Sequence, residues 1–190
     1  MAGEKGGLEE LNKLYLAIIL RYKNLIEENE ELSVAELPTL VTPNDERVTA
    51  KAEELKAGFL NYTYEKDFYG AAKKAFEFVR NDIEEIVPPV RFWLMPSETL
   101  DFHVGDVMDK SILLCSLLLQ LGNPSTKVLV EMDNEMSAFV YFEFKGVYYA
   151  LDVKSGIREF PSKEALYGSL LKSDDSTAYE FNNQHYNDIK

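Results

Sequence analysis

The sequence predicts an α+β fold in which N-terminal helices and a buried central helix pack on an antiparallel sheet. Three observations support this fold class: helical periodicity in the first half, an apolar run from Ile112 to Leu121, and alternating strand patterns after it. Helices followed by a run of strands are typical of α+β architecture. We expect one domain over residues 1–190, with a helical part (1–89), a helix-plus-sheet core (90–172) and a polar C-terminal tail (173–190).

Three helices are predicted in the N-terminal part. Apolar residues recur at three- and four-residue steps from Leu8 to about Glu30, which indicates a single apolar stripe. Pro38 and Pro43 interrupt the connector that follows, because proline opposes regular structure. A second helix is expected from Asp45 to about Phe59, and a third from Tyr64 to about Ile86, where two prolines end it.

The central helix is predicted to begin after Asp106. This residue type is a preferred N-cap, and Asp109 three residues later complements the positive end of the helix. The run from Ile112 to Leu121 is apolar almost all round, which indicates burial on every side. Gly122 is expected to stop the helix.

Strands are predicted at Lys127–Met132, Ala138–Phe144 and Val147–Val153. Lys145-Gly146 would connect the last two as a two-residue turn, since glycine accepts the positive φ that such a turn needs. Ser162 is expected to cap a final helix that reaches about Lys172. One further strand is predicted at a sheet edge, around Ala178–Phe181.

The two-residue turn also predicts the register of its hairpin. One hairpin face is then wholly apolar, with Ala138, Val140, Phe142 and Phe144 opposite Val153, Leu151, Tyr149 and Val147. On the other face Phe139 lies opposite Asp152, and Ser137 becomes the diagonal neighbour of Asp152, about 7 Å away at the Cα level. An imidazole at position 137 would be able to contact the carboxylate of Asp152.

Two segments resemble motifs of the transglutaminase-like superfamily, which has a papain-like cysteine enzyme fold. The run Gly105–Gly122, GDVMDKSILLCSLLLQLG, is similar to the motif G-D-C-x-D-K-a-x-L-L-x-x-L-L-x-x-x-G. Ser137–Val140 and Leu151-Asp152 resemble a strand H-A-W-V followed, fifteen residues after its histidine, by the aspartate of L-D-P. The resemblance covers roughly Val90–Val153. In this family a thiolate at a helix N-terminus is the nucleophile, a histidine is its base, and an aspartate orients the histidine.

The resemblance implies a catalytically degenerate member of that family. Val107 stands where the motif has cysteine, Ser137 stands where it has histidine, and Asp152 remains. Valine cannot act as a nucleophile, and a hydroxyl is no general base at neutral pH. We therefore expect no catalytic residues and no enzyme activity, but a binding or scaffold protein that holds a protein or peptide in the remnant groove. The residues expected to line this groove are Trp93, Phe102, His103, Asp106 and Phe139.

Two other functions stay open. A cysteine-type hydrolase or acyl transferase would need relocated residues, either Cys115 with His103 or the carboxylates of Asp106 and Asp109. However, Cys115 lies in an all-apolar stretch, where a thiol is normally an inert core residue. The third function is small-molecule binding in an aromatic-lined pocket between helix and sheet.

Two ion pairs are also predicted around these positions. Lys154 follows Asp152 by two residues on the same strand face, which makes it the candidate partner of this carboxylate. Asp106, Asp109 and Lys110 are expected to combine helix capping with a local ion pair.

Composition limits the classes of partner. The net charge of −13 argues against nucleic acid, which favours a basic face. The single cysteine excludes an intramolecular disulfide, and two histidines without ligand spacing predict no metal site and no cofactor. The apolar run Leu14–Leu20 is far shorter than the ~20 residues that span a bilayer, and the first residues lack the pattern of a secretory leader. We expect a cytoplasmic protein with no membrane partner.

Overall fold

A computed structural model describes residues 2–30, 36–90, 92–133, 136–172 and 176–190. Within these ranges the chain forms helices and a six-stranded antiparallel sheet, which confirms the α+β class. The helices are α1 (Ala2–Arg21), α2 (Lys23–Glu30), α3 (Leu37–Leu40), α4 (Glu46–Lys56), α5 (Tyr64–Asn81), α6 (Pro96–Phe102), α7 (Val107–Gln120) and α8 (Lys163–Leu170).

The strands of the main sheet are arranged in the order β6-β5-β4-β3-β7-β8, and every neighbouring pair is antiparallel. Two short strands, β1 (Glu84–Glu85) and β2 (Val104–Gly105), pair in parallel outside it. The six strands of the sheet are β3 (Lys127–Met132), β4 (Met136–Phe144), β5 (Val147–Asp152), β6 (Gly156–Phe160), β7 (Thr177–Phe181) and β8 (Tyr186–Asp188).

The central helix α7 is buried between the other helices and the sheet, as its sequence predicts. Residues Met108 to Leu118 are all buried, and α7 contacts α4, α5 and α6 on one side and β3 and β4 on the other. The opposite face of the sheet is covered by α8, whose Leu166 and Leu170 pack on Phe139 and Tyr141. The sheet therefore has an apolar layer on both faces.

The β4–β5 hairpin has the predicted register. Val140 pairs with Leu151 and Phe142 with Tyr149, so the apolar hairpin face lies against α7 and α5. Lys145 and Gly146 both have positive φ, 54° and 78°, as a two-residue hairpin turn of this type requires.

Four details of the sequence prediction are corrected. The third helix ends at Asn81 instead of Ile86, and Pro96, at the first helical position, opens the unpredicted helix α6. Strand β6 was not predicted, because its residues are half-exposed or exposed and show no buried alternation. The strand expected at an edge, β7, is an interior strand between β3 and β8, so part of the predicted polar tail belongs to the sheet.

The first predicted helix is present as α1 and α2, with a break at Tyr22. Where the side chains of this stripe are described, many are exposed: Leu14, Ile18 and Leu25 are 55%, 46% and 56% exposed. No described helix is long and apolar enough to cross a membrane.

Glu180 on β7 is a buried carboxylate that joins α8 to the sheet. It accepts hydrogen bonds from Lys127 Nζ at 2.6 Å, from Lys163 Nζ at 3.1 Å, and from the hydroxyls of Tyr141 and Tyr167. Burial alone would raise the pKa of Glu180, but these four donors outweigh it and lower the pKa to about 2. We call this group the Glu180 clasp.

Replacing Phe68 by alanine is expected to lower the free energy of unfolding by about 3–5 kcal/mol, the usual range for removing a buried phenylalanine. Phe68 on α5 is fully buried, and its ring contacts Tyr64, Phe142 and Phe144. Urea unfolding at pH 7 measures the change. The matched control is Phe102→Ala, because Phe102 is 62% exposed and should change stability by less than about 0.5 kcal/mol. An equal loss of unfolding free energy in the two variants would contradict the buried position of Phe68.

Candidate functional site

The N-terminus of α7 is held by two reciprocal aspartates, as predicted. Asp106 Oδ1 accepts the backbone N–H groups of Met108 at 2.7 Å and Asp109 at 2.9 Å. Asp109 Oδ2 in turn accepts the backbone N–H of Asp106 at 2.9 Å. This capping box makes Val107 the first helical residue and fixes the position of its side chain.

Asp109 also anchors the segment that precedes α6. Its Oδ1 accepts the backbone N–H of Leu94 at 3.0 Å, and the side chain is buried. Burial, reinforced by the nearby charge of Asp106, raises the pKa of Asp109 to about 6. Gly105 is required beside it, since a Cβ there would lie 2.9 Å from Asp109 Cβ.

The predicted local ion pair of Lys110 is wrong. The side chain is buried, and Nζ donates to the carbonyl oxygen of Ile83 at 2.8 Å instead of meeting Asp106 or Asp109. Burial lowers the pKa of Lys110, and the charge of Glu85 partly offsets this effect. Lys110 thus fastens α7 to the beginning of the segment that follows α5.

Val107, Ser137 and Asp152 line one cavity of about 470 Å³, which we call the main cavity. The structure thus brings together the three positions at which the sequence motifs place a triad. Further lining comes from β4, from the turn after β5, from β6, and from α8 and the residues after it: Met136, Ala138, Phe139, Lys154, Ser155, Arg158, Ser169, Leu170 and Lys172. Arg158, Ser169 and Lys172 were not predicted as site residues.

The main cavity lies where β4 extends beyond β5. The last pair of these strands is Val140 with Leu151, so Met136–Phe139 have no described strand on that side. Residues on both sides of the sheet line the cavity there. Val107 and Ala138 lie on the side that α7 covers, and Leu170 lies on the side that α8 covers. The strand end therefore presents backbone and side chains to the same open space.

Asp152 does not pair with the ammonium group of Lys154, which corrects the predicted ion pair. The Asp152 carboxylate accepts the backbone N–H of Lys154 at 2.9 Å and the hydroxyl of Ser155 at 2.5 Å. Lys154 Nζ lies 3.6 Å from Glu85 Oε1 instead. Asp152 is half-buried and is held by the turn that follows its own strand.

A second cavity of about 440 Å³, the side cavity, lies next to the main cavity and shares Met136 with it. Its lining is mainly apolar and includes Val87, Phe92, Trp93 and Met132, while Asp106 and Asp133 provide two carboxylates. Because Asp106 and Val107 are consecutive, the two cavities flank the N-terminus of α7. We call both cavities together the groove.

The predicted groove residues are divided between different places. Trp93 and Asp106 line the side cavity, and Phe139 lines the main cavity. His103 lies elsewhere: it ends α6 with a φ of 55°, and its Nδ1 is 3.3 Å from the carbonyl oxygen of Asp82. Phe102 is 62% exposed and lines neither cavity, so it and His103 are not groove residues.

Cys115 is fully buried in the core between α7 and its neighbours. Burial raises the pKa of its thiol far above neutrality. His103 is exposed at the surface, so the structure does not bring the two together as a nucleophile and its base. Among the described residues no group of three or more His, Cys, Asp or Glu side chains is placed to hold a metal ion.

The chain has a transglutaminase-like, papain-like fold, in which a central helix has its N-terminus at the end of an antiparallel sheet. Among solved structures the chain is similar to Legionella pneumophila LapG, with 16% identity, a TM-score of 0.54, and coverage of 84% of this chain and 89% of that chain. The chain is also similar to EGTA-treated LapG from the same organism, with 15% identity, a TM-score of 0.52, and coverage of 84% of this chain and 87% of that chain.

The likeness to LapG shows a transglutaminase-like cysteine protease fold over most of the chain, well beyond the Val90–Val153 region of the sequence motifs. No family model and no curated protein matches the chain.

Proposed function

We propose that this chain is a non-catalytic transglutaminase-like protein that binds a peptide segment of a partner in the groove. The single observation that carries the proposal is the main cavity of about 470 Å³ around Val107, Ser137 and Asp152. Two of these three positions hold side chains that cannot serve as nucleophile or base, yet bulky residues do not fill the space between them. Open space without reactive groups favours binding over chemistry.

The shape of the groove supports a peptide as the occupant. Met136–Phe139 of β4 have no described strand on the β5 side, and an extended peptide can pair with such a backbone. The side cavity continues the groove past Met136 and offers apolar surface for a peptide side chain. A small molecule in the side cavity alone is the second candidate, which Trp93 and Phe92 favour because aromatic walls are common in such sites.

A displayed random heptapeptide library tests the binding. We expect wild-type protein to enrich peptides that fail to bind Ser169→Trp, because this substitution places an indole in the main cavity. Gly168→Trp is the matched control: Gly168 is the preceding residue of α8, lies outside the cavity lining, and a Cβ there meets nothing within 4 Å. Peptides that bind all three proteins equally, or no enrichment at all, would contradict groove binding.

Catalysis is tested separately with casein and with a glutamine-containing peptide plus an amine acceptor. We expect no hydrolysis and no acyl transfer above the level of Asp152→Ala. Turnover that Asp152→Ala abolishes would overturn the proposal, because it would mean that the remaining aspartate still supports a reaction.

A further inference from the structure

The main cavity has a charge that is opposite to that of the whole chain. The chain carries a net charge of −13, but among the residues that the structure describes three cationic side chains and one carboxylate line this cavity. The cations are Lys154, Arg158 and Lys172, and the carboxylate is Asp152. At physiological salt the Debye length is about 8 Å, so distant surface charges are screened while groups inside the cavity still act on a ligand.

The charged side chains that line the main cavity differ in how strongly other groups of the protein already bind them. The ammonium group of Lys154 lies 3.6 Å from Glu85, which partly neutralises it. Asp152 is occupied by the N–H of Lys154 and the hydroxyl of Ser155. Arg158 stacks over the Phe160 ring at 5.8 Å, which orients its guanidinium group without neutralising it.

Arg158 and Lys172 have no carboxylate within 4 Å among the residues that the structure describes. Arg158 is contributed by β6, and Lys172 follows the end of α8, so two different elements both place an exposed cation at the cavity. A planar guanidinium group binds a carboxylate with two parallel N–H···O bonds, and a lysine adds a point charge.

We propose that the groove recognises an acidic peptide, with a ligand carboxylate held by Arg158 and Lys172 in the main cavity and an apolar side chain in the side cavity. This inference rests on the proposed peptide-binding function. The carboxylate comes from an Asp or Glu side chain or from a peptide C-terminus, since both present the same group. The two cavities meet at Met136, so the acidic and apolar residues lie near each other in the ligand sequence.

The probes are the heptapeptides that the wild-type protein enriches from the displayed library and Ser169→Trp does not. They are synthesised in one set with acetylated and amidated ends, and in a second set with a free C-terminus. We expect most of them to contain Asp or Glu, and we expect a change of that residue to Asn or Gln to weaken binding about tenfold at 0.15 M salt. Amidation that weakens binding by a similar factor would identify the C-terminal carboxylate as the source.

Charge variants of the protein provide the second arm. The double variant Arg158→Gln with Lys172→Gln should bind the acidic peptides about tenfold more weakly than wild type. Its affinity for the Gln analogues of these peptides should equal that of wild type. Asp152→Asn should act in the opposite direction and strengthen the binding of acidic peptides, because it removes a carboxylate, the one found among the described residues of the cavity lining. The matched control is Lys13→Gln with Lys66→Gln, which removes the same charge from exposed residues outside the groove. This control should leave the affinity for the acidic peptides unchanged.

Three outcomes separate the two proposals. This inference would be overturned, and groove binding left intact, by enriched peptides that lack acidic residues and bind equally well with an amidated C-terminus. Acidic peptides that bind the Arg158 and Lys172 double variant as well as wild type would have the same consequence. A library without any peptide sensitive to Ser169→Trp would overturn both. Acidic peptides that lose affinity with Arg158→Gln and Lys172→Gln, but not with the control pair, would support both.

Discussion

Glu180→Gln is expected to lower the free energy of unfolding by about 3 kcal/mol at pH 7, because it removes the buried charge that four donors surround. The amide retains only one acceptor oxygen, so Lys127 and Lys163 lose their shared counter-charge. Urea unfolding measures the loss. Glu53→Gln is the matched control, since its pair with Lys56 is on the surface and contributes at most about 0.5 kcal/mol.

The contribution of the Glu180 charge to the free energy of unfolding must also decrease as the pH falls. Its pKa is lowered from 4.5 to about 2 in the folded protein, so the stabilisation is complete above pH 4.5 and is lost as the pH falls towards 2. The difference in free energy of unfolding between wild type and Glu180→Gln should therefore shrink to roughly 1 kcal/mol at pH 3. A difference that is equal at pH 7 and pH 3 would show that the charge is not what stabilises the clasp.

Val107→Cys is expected to give a thiol that reacts at least about a thousandfold faster than Cys115 in the folded protein. Val107 lines the open main cavity, whereas Cys115 is fully buried and reacts only when the chain unfolds, at a cost of several kcal/mol. Alkylation with iodoacetamide at pH 7, followed by mass spectrometry of the peptides, reports both cysteines in one sample. Wild-type protein should show no fast-reacting thiol.

A second control separates access from activation of this new thiol. Val87→Cys places a thiol at a residue that is 92% exposed and is not part of a helix. The first position of α7 favours a thiolate through the helix dipole, so the alkylation rate of Cys at position 107 should reach half its maximum at a lower pH than at position 87. Identical pH profiles would show that the α7 N-terminus does not activate a nucleophile, and a slow thiol at 107 would show that the cavity is closed.

The parts of the fold that the sequence predicts well depend on local patterns. Asp106 and Asp109 are three residues apart, and the capping box needs nothing beyond this spacing. The register of the β4–β5 hairpin follows from a two-residue turn and an apolar face that agree with each other. Val107 was found through the resemblance to the transglutaminase-like motif, whereas the hairpin register independently placed Ser137 beside Asp152.

The parts that were missed depend on contacts between distant residues. Arg158 reaches the cavity only because β6 adds to the far side of β5, and β6 has no buried face that would mark it in the sequence. β7 becomes an interior strand because β8 covers it, which its own residues do not indicate. Asp152 met Ser155 and a backbone N–H instead of the Lys154 ammonium group, since the turn after β5 brings these donors closer.

The Glu180 clasp has a consequence for the order in which the chain can assemble. All four donors precede Glu180 in the sequence, so during synthesis they leave the ribosome before their acceptor does. Until then β3 has a bare edge, because its second neighbour is β7, and α8 is not yet fastened over the sheet. The wall that α8 contributes to the groove is thus fastened only after β7 has left the ribosome.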